Sequence, residues 1–222
     1  MKQKKQSNPY QIYSNQTSIH PKLPILLEKY KSFKDYQHPV SSVTKSKWQR
    51  TLATIDTNQP IILDSGCGRG LSTLNLAQYY PKHNIIAVDQ SSSRLQSLPP
   101  TLPENVRIIE ANIIDIWKLC WEQDIRIEKN YVLYPNPWPK KKHIQRRWYA
   151  HPIFPLALEI SKIIELRTNW YRYLQEWVYA GYYYHKYVTS NIVNPHKKAI
   201  THFEKKYFTE DSICYRAVIY QN

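Results

Sequence analysis

Glycine, cysteine and methionine are all scarce in this chain: the 222 residues include four, three and one of them, respectively. The cysteines, Cys67, Cys120 and Cys214, are widely spaced and odd in number. That pattern argues against a disulfide framework and against a cysteine-based zinc site, and we expect no metal. A reducing compartment follows from it, and the cytoplasm is the simplest expectation.

Long apolar runs are also missing from the sequence. No stretch approaches the roughly 20 apolar residues that a membrane span needs. The first 16 residues, MKQKKQSNPYQIYSNQ, are basic and lack the apolar core of a secretion signal. We therefore expect neither a membrane-spanning nor a secreted protein.

Acidic residues are outnumbered by basic ones, 17 against 31, which gives a formal net charge of +14. Charged residues make up only 22% of the chain, so the excess is not the by-product of a highly charged surface. An excess of this size indicates a polyanionic partner, nucleic acid first and an anionic membrane surface second. A basic protein without such a partner is the alternative.

The length fits one large domain or one domain with an extension, and 42% hydrophobic residues are enough for a core. Residues 1–20 are polar and basic, and we predict a flexible tail there. Residues 21–222 are predicted to form the single domain. The tail either contacts RNA or has no role of its own.

Short apolar runs alternate with segments of helical period along the chain. The predicted strands are IILD (61–64), NIIAVD (84–89), VRIIEA (106–111), YVLYP (131–135), IIELR (163–167) and SICYRAVIY (212–220). LSTLNLAQYY (71–80) has a helical repeat, and the tyrosine-rich 182–188 is a plausible neighbour of the last strand. This order predicts an α/β, Rossmann-like fold, whose seven-stranded, mostly parallel sheet ends in an antiparallel strand and has helices on both faces.

Three of the four glycines, Gly66, Gly68 and Gly70, stand together directly after the first predicted strand. A strand, a glycine loop and a helix form a nucleotide-type site, because glycine lets a ligand approach the backbone and the helix offers free N–H groups. The Gly-Lys-Ser/Thr of a P-loop is absent, and the spacing is tighter than in dinucleotide sites. With Asp64 first, the D-x-G-x-G-x-G pattern resembles the S-adenosylmethionine loop of Rossmann-like methyltransferases.

Two polar residues follow later strands. Asp89 ends the second strand, where an acid can accept hydrogen bonds from both ribose hydroxyls; a helix N-cap is the alternative. Asn112 follows the third strand, where such folds contact adenine; a turn residue is the alternative. Both positions belong to the edge of the sheet at which ligands bind in this class of fold.

The segment after the fourth strand, YPNPWPKKKHIQRRWYAHPIF, carries the most specific signal. Pro137 and Pro139 stiffen the chain around Trp138, and Asn136 lies at the carboxyl end of the strand, beside the methyl-donor position. Six of the eight residues from 140 to 147 are Lys, Arg or His. The stretch suits a base held near the donor with phosphates behind it, and a solvated helix face is the alternative for the basic run. The predicted phosphate contacts are Lys140, Lys141, Lys142, Arg146 and Arg147.

This segment resembles the P-D-P-W-P-K-K-R-H-x-K-R-R signature of the bacterial tRNA (guanine-N7)-methyltransferases. The resemblance runs from about residue 58 to the C-terminus. LRTNW (166–170) is similar to the family's K-T-D-x segment, and the stretch from Thr201 to Glu204 is similar to its T-x-x-E segment. The resemblance implies a class I methyltransferase that uses S-adenosylmethionine to methylate guanine N7 in the tRNA variable loop. The sequence leaves open whether the protein is a monomer or a homodimer.

The resemblance also implies roles for individual residues. It assigns cofactor binding to Asp64, Gly66, Gly68, Asp89, Asn112 and Asn136. It assigns substrate binding to Lys140, His143, Arg146, Arg147, Thr168, Asn169, Thr201 and Glu204. Asn136 is the predicted catalytic residue, between the cofactor and the target base.

Asn112, Asn136 and Asn169 stand where the family has Asp, and the last two changes remove negative charge from the base pocket. N7 of guanine carries a lone pair and no proton, so its methylation needs positioning and electrostatics rather than a base. An Asn offers one acceptor and one donor, which suits adenine better than guanine. Asn-Pro-Trp also resembles in part the Asn-Pro-Pro-aromatic motif of methyltransferases that act on exocyclic amines. The alternatives are therefore methylation of another RNA position or of an exocyclic amine, and a non-catalytic RNA-binding paralogue.

Overall fold

Strands and helices alternate along the chain in a computed structural model that describes residues 12–33, 36–209 and 212–221. The strands are β1 (Ile61–Ser65), β2 (Asn84–Asp89), β3 (Val106–Glu110), β4 (Ile127–Leu133), β5 (Ser161–Thr168), β6 (Tyr187–Ile192) and β7 (Tyr215–Tyr220). The α-helices are α1 (Leu23–Lys29), α2 (Ser42–Leu52), α3 (Leu71–Tyr79), α4 (Ser92–Leu95), α5 (Ile113–Glu122), α6 (Phe154–Ile160), α7 (Tyr171–Tyr183) and α8 (His202–Thr209). Two short 3₁₀ helices, Lys141–Arg146 and Trp148–Ala150, follow β4.

The seven strands form one sheet in the order β3-β2-β1-β4-β5-β7-β6. Neighbours among β1 to β5 pair in parallel, and β7 runs antiparallel to both β5 and β6. The predicted Rossmann-like fold with a mostly parallel sheet is thereby confirmed. The strand order reverses between β1 and β4, so the loops after these two strands lie side by side at the carboxyl edge, where such sheets bind ligands.

The boundaries of most predicted strands shift in the structure; the last strand, for example, begins at Tyr215 rather than at Ser212. The sequence pattern puts 182–188 beside the last strand, but Tyr182 and Tyr183 complete α7, and the strand that pairs with β7 begins at Tyr187. The apolar face of α7 continues through this segment, and a Cβ on Gly181 would stand 2.6 Å from a methyl group of Val188. The fourth strand ends at Leu133, because the next residue, Tyr134, has φ of 51° and leaves the extended conformation.

The two faces of the sheet are covered unequally. The larger core lies on the side of α5, α6 and α7 and buries tryptophans such as Trp117 and Trp177. The smaller core lies under α3 and joins Leu76 to Ile62 and Tyr131. All three cysteines are free and buried. Across the described ranges, no helix has the length and apolar character needed to cross a bilayer.

Residues 1–11 of the predicted tail lie outside the described residues. Gln16 and His20 are buried. The side chain of Gln16 donates to Glu176 on α7 at 2.6 Å, and Ser14 Oγ donates to the carbonyl of Pro139 at 2.8 Å. Residues 14–20 therefore pack against the domain, and the division into a tail and a domain at residue 20 stays a prediction.

Candidate active site

The glycine loop after β1 has a backbone that only glycine adopts at low cost. Gly66, Gly68 and Gly70 have φ of 84°, 58° and 76°. A Cβ added at Gly66 or Gly68 would meet nothing within 4 Å, whereas one at Gly70 would stand 1.9 Å from Leu98 Cδ2. The first two glycines thus border open space in which a ligand can reach the backbone, and the third permits close packing.

Asp64 lies below this loop with its carboxylate enclosed. Its Oδ2 accepts hydrogen bonds from Ser72 Oγ and Thr73 Oγ1, both at 2.7 Å. Its Oδ1 is buried and has no hydrogen-bond partner among the described residues. Burial raises the pKa of Asp64 to about 6, with the two hydroxyls acting against the shift and Asp89 adding to it. An unpartnered buried carboxylate oxygen is a site for a ligand N–H, and a cationic donor would lower this pKa again.

Both carboxylate oxygens of Asp89 accept hydrogen bonds. Oδ2 accepts from the backbone N–H of Gly68 and Oδ1 from that of Ser91, both at 2.9 Å. The guanidinium of Arg94 contacts both oxygens, at 3.0 and 3.2 Å, and its side chain is 54% exposed. Ribose hydroxyls can reach this carboxylate by taking the place of Arg94, which is held only at the surface.

Asn112 is the N-cap of α5. Its side-chain oxygen accepts from the backbone N–H of Ile114 at 3.1 Å. This is the turn role that the sequence left open as an alternative. The cap engages the amide oxygen, and the two N–H donors of the amide are separate from that contact.

The loop after β4 brings an aromatic ring between two basic side chains. Asn136 is exposed, and its Oδ1 accepts from the backbone N–H of Trp138 at 3.2 Å. Tyr134 and Trp138 have φ of 51° and 47°, a strained region for residues with side chains. The Arg146 guanidinium lies 4.7 Å from the centre of the Trp138 ring, and the His143 ring lies 5.5 Å from it.

Four of the five predicted phosphate contacts lie at the surface of this loop. Lys140, Lys141, Lys142 and Arg146 are exposed. The pKa of His143 lies below its usual value, through desolvation and then through the nearby cations led by Arg146. This shift favours the neutral imidazole, so the positive field of the loop comes mainly from lysine and arginine.

Arg147 corrects the prediction of a fifth phosphate contact, because its side chain is fully buried. Its Nη1 donates to Glu176 at 2.7 Å and to Gln16 at 2.9 Å, and its Nε donates to the Trp138 carbonyl at 3.2 Å. Its guanidinium also lies 4.8 Å from the centre of the Trp170 ring. An enclosed guanidinium offers no edge to RNA, so Arg147 holds the loop from inside.

Glu176 is the main residue that sequence reasoning missed. It is fully buried on α7 and accepts from Arg147, from the hydroxyl of Tyr149 and, at 2.6 Å, from the backbone N–H of His20. The available signal was its place on the apolar side of a helical repeat, three residues after Tyr173. A buried carboxylate needs a cationic partner, and this one joins three distant segments of the chain.

Thr201 and Glu204, which are predicted to bind substrate, form a helix cap in the structure. Thr201 Oγ1 accepts from the backbone N–H of Glu204 at 2.9 Å, and Glu204 accepts from that of Ile200 at 2.8 Å. The fully buried Glu204 also accepts from Tyr134 Oη at 3.1 Å and from Arg167 at 2.7 Å. The segment therefore ties α8 to the end of β4, and the substrate contacts of Thr201 and Glu204 stay a prediction.

Thr168 and Asn169 mark the carboxyl end of β5. Thr168 is buried, and its hydroxyl oxygen accepts from the backbone N–H of Trp170 at 3.1 Å. Asn169 is half-buried at the same edge as the β4 loop. Within the described part of the chain, no group of three or more His, Cys, Asp and Glu side chains is arranged to hold a metal.

Three comparisons relate this chain to known proteins. A family model described as "Putative methyltransferase" matches residues 58–217. Curated relatives named tRNA (guanine-N(7)-)-methyltransferase include those of Neisseria gonorrhoeae, 27% identical over 140 residues, and of Desulfitobacterium hafniense strain DCB-2, 34% identical over 114 residues. The first match covers 58% of this chain and 58% of the relative, and the second covers 50% and 51%. The chain thus spans little more than half the length of these relatives.

Solved methyltransferase structures share the fold at low identity. The structure titled 16S rRNA methyltransferase KamB has a TM-score of 0.56 at 12% identity, covering 83% of this chain and 96% of its own. An antibiotic-related methyltransferase has a TM-score of 0.54 at 13% identity, covering 84% of this chain and 96% of its own. Family and fold together support S-adenosylmethionine as the cofactor. Since the family model matches most of the chain and includes both loops described above, the chain belongs to this methyltransferase family.

Proposed function

We propose that this chain transfers a methyl group from S-adenosylmethionine to N7 of a guanine in the variable loop of tRNA. The observation that carries the proposal is the juxtaposition of two loops at one edge of the sheet. The loop after β1 is open along its glycine backbone, and the loop after β4 is cationic and aromatic. The names of the curated relatives support tRNA as the substrate and guanine N7 as the target.

In this proposal the cofactor lies over the glycine loop. The unpartnered Oδ1 of Asp64 suits a cationic donor on the cofactor, and Asp89 accepts from ribose hydroxyls in place of Arg94. Asn112 contacts adenine through its side-chain N–H groups, which its capping hydrogen bond does not use. When bound, the cofactor supplies an electrophilic methyl group.

The RNA in this proposal lies along the loop after β4. Lys140, Lys141, Lys142 and Arg146 contact phosphates, which positions the strand without reading its sequence. Because N7 has a free lone pair, the protein needs no general base and acts by holding the base in line. Asn136 lies between the base and the cofactor, and Asn169 borders the same pocket. Positive charge that develops on the base is not neutralised by either amide.

The decisive experiment is methyl transfer by the purified chain from labelled S-adenosylmethionine to tRNA of a strain that lacks the gene. We expect 7-methylguanosine, found by mass spectrometry of digested nucleosides and mapped to the variable loop. Asp89→Ala should abolish transfer through loss of cofactor, while Asp124→Asn, an exposed position away from both loops, should retain it. Label in another nucleoside, or RNA binding without transfer, would contradict the proposal in favour of one of the alternatives.

Asn136→Asp separates guanine N7 from an exocyclic amine as the target. A carboxylate accepts from two neighbouring donors on guanine and offsets the charge of its N7-methylated product, so activity should be retained or raised. If the Asn side chain donates to a ring nitrogen beside an exocyclic amine, the variant should lose roughly 10²-fold in single-turnover rate. Such a loss would overturn guanine N7 as the target.

A further inference from the structure

A cavity of 410 Å³ lies on the face of the sheet that α3 only partly covers. It is bounded by the C-terminal end of α3, by β4, β5 and β7, by the end of β6 and by the segment 193–200 that follows it. None of the residues in the two loops of the candidate active site lines it. α3 starts at the glycine loop and spans nine residues, so Tyr79 at its end lies about 13 Å along the helix from that loop.

The cavity carries an uncompensated positive charge. Its carboxylate, Glu165, accepts from Arg167 at 2.8 Å and from Arg216 at 2.7 Å, and Arg167 also pairs with Glu204. These two arginines and two carboxylates balance each other. Three lysines remain in the lining, Lys129, Lys197 and Lys198, and none of them has a carboxylate within 4.0 Å among the described residues.

Lys129 is the most informative of the three, because it projects from the central strand β4. Its Nζ donates to Tyr80 Oη at 2.9 Å and lies 5.1 Å from the centre of that ring. The Tyr80 hydroxyl in turn contacts the hydroxyl of Tyr131 at 2.8 Å. An ammonium has three donors, so two stay available beyond the bond to Tyr80. A half-buried cation that is held by neutral hydroxyls suits an anionic ligand in the cavity.

An aromatic ring beside these lysines favours an anionic ligand that also has a flat ring, such as a nucleotide. Tyr79 lines the cavity with its side chain 57% exposed. A ring next to lysines is the combination that binds single-stranded nucleic acid, through base stacking and phosphate contact. Inorganic phosphate alone would leave the ring unused.

We propose that this cavity binds one nucleotide of the RNA strand, with its phosphate at Lys129, Lys197 and Lys198 and its base on Tyr79. The proposal rests on RNA as the substrate, as proposed above. Because Tyr79 lies about 13 Å along α3 from the glycine loop, this nucleotide is a different one from the nucleotide that is methylated. The cavity therefore extends the RNA-binding surface from the edge of the sheet onto its face.

The test measures binding of tRNA, AMP and inorganic phosphate to the whole chain. Substituting Lys129, Lys197 and Lys198 together by Gln should lower the slope of log affinity for tRNA against log salt by about 0.7–0.9, the value for one phosphate, and the affinity by about 5-fold at 0.15 M salt. The matched control Lys45→Gln, an exposed lysine on α2, should change neither. Calorimetric titration with S-adenosylmethionine should be unchanged in all variants, which shows that they are folded.

Tyr79→Ala tests the base contact separately, at an exposed position that does not endanger folding. The variant should bind AMP more weakly than wild type does, and its affinity for inorganic phosphate should be unchanged. Equal binding of AMP by wild type, Tyr79→Ala and the triple variant would overturn the proposal, and so would binding of inorganic phosphate as tight as that of AMP.

If the chain binds AMP in this cavity but methylates no tRNA, the proposed function fails while the nucleotide site stands. If it methylates tRNA and these variants have no effect, the nucleotide site fails while the proposed function stands.

Discussion

The two loops that meet at the edge of the sheet are held in different ways. Around the loop after β1, the partners are close in sequence: Asp64 contacts Ser72 and Thr73, eight and nine residues away. Around the loop after β4, they are remote: the Arg147 side chain contacts Gln16, 131 residues away, and Glu176, 29 residues away. The first loop keeps open space and an unpartnered oxygen, while the second rests on a fully enclosed ion pair.

This difference indicates that the two loops depend on different kinds of contact. A loop built from local contacts forms the same cofactor cradle wherever its strand and helix form. A loop that carries many like charges repels itself, so it needs an anchor that the tertiary structure supplies. We therefore expect changes at the buried anchor to act on stability at every pH, and changes at the cradle to act on cofactor affinity and on the pH dependence of both affinity and stability.

Glu176→Gln should have the largest effect, because it leaves the Arg147 charge buried without its counter-ion. Loss of one partner of a buried pair costs about 3–5 kcal/mol. We expect the free energy of unfolding in urea to fall by that amount, with cofactor affinity unchanged where the protein is folded. Glu122→Gln, at an exposed position on α5, is the matched control and should stay within about 0.5 kcal/mol. Equal stability of the two variants would show that the pair is not an anchor.

Asp64→Asn should have the next largest effect, and one that depends on pH. The pKa of Asp64 is raised from 3.8 to about 6 in the folded protein, so the protonated form is favoured by folding. Its stabilising contribution is complete below the unfolded pKa and is lost as pH rises through the folded one, about 3 kcal/mol in all, most of it between pH 4 and 7. The free energy of unfolding should fall between pH 4 and pH 7 in wild type, and this fall should be absent in Asp64→Asn.

The same carboxylate should make cofactor binding pH-dependent. A cationic donor at Oδ1 favours the ionised acid, so wild-type affinity should rise as pH increases through 6, and Asp64→Asn should lack that rise. Calorimetry with S-adenosylmethionine measures both. Asp124→Asn, which changes an exposed carboxylate, should follow wild type throughout. A pH profile shared by wild type and Asp64→Asn would contradict the assignment.

Replacing Lys140, Lys141 and Lys142 together by Gln should weaken tRNA binding on the order of 100-fold at 0.15 M salt, if each binds one phosphate. The slope of log affinity against log salt should fall by about 0.9 for each phosphate that is no longer bound. The side chains are exposed, so the free energy of unfolding should hardly change. A slope equal to that of wild type would show that the run is only a solvated face.

Arg94→Gln should have the smallest effect of these changes, and it should raise rather than lower an affinity, that for the cofactor. Its guanidinium covers the carboxylate of Asp89 from an exposed position, and exposed ion pairs contribute about 0.2–1 kcal/mol. Removing it should therefore tighten cofactor binding by a few-fold in calorimetric titration. Weaker binding would show that Arg94 itself contacts the cofactor rather than competing with it.

The order of strands and helices along the chain, the glycine loop and the exposed lysines after β4 could all be predicted from the residues alone. These features are local, because strand runs, positive φ at glycine and solvated charge depend on residues that are near in the chain. Even the boundaries that the sequence pattern missed, such as those at Tyr134 and Tyr187, are shifts of a few residues caused by packing.

Which charged residues of the basic run are exposed and which lie inside depends on how the whole chain packs. Arg146 and Arg147 are neighbours of the same type in a basic run, yet one is exposed and the other is fully buried. The difference depends on Gln16 and Glu176, which reach Arg147 from remote segments. The cavity around Lys129 likewise exists because α3 covers only part of one face. Burial is a property of how distant segments pack, so no local pattern of residues contains it.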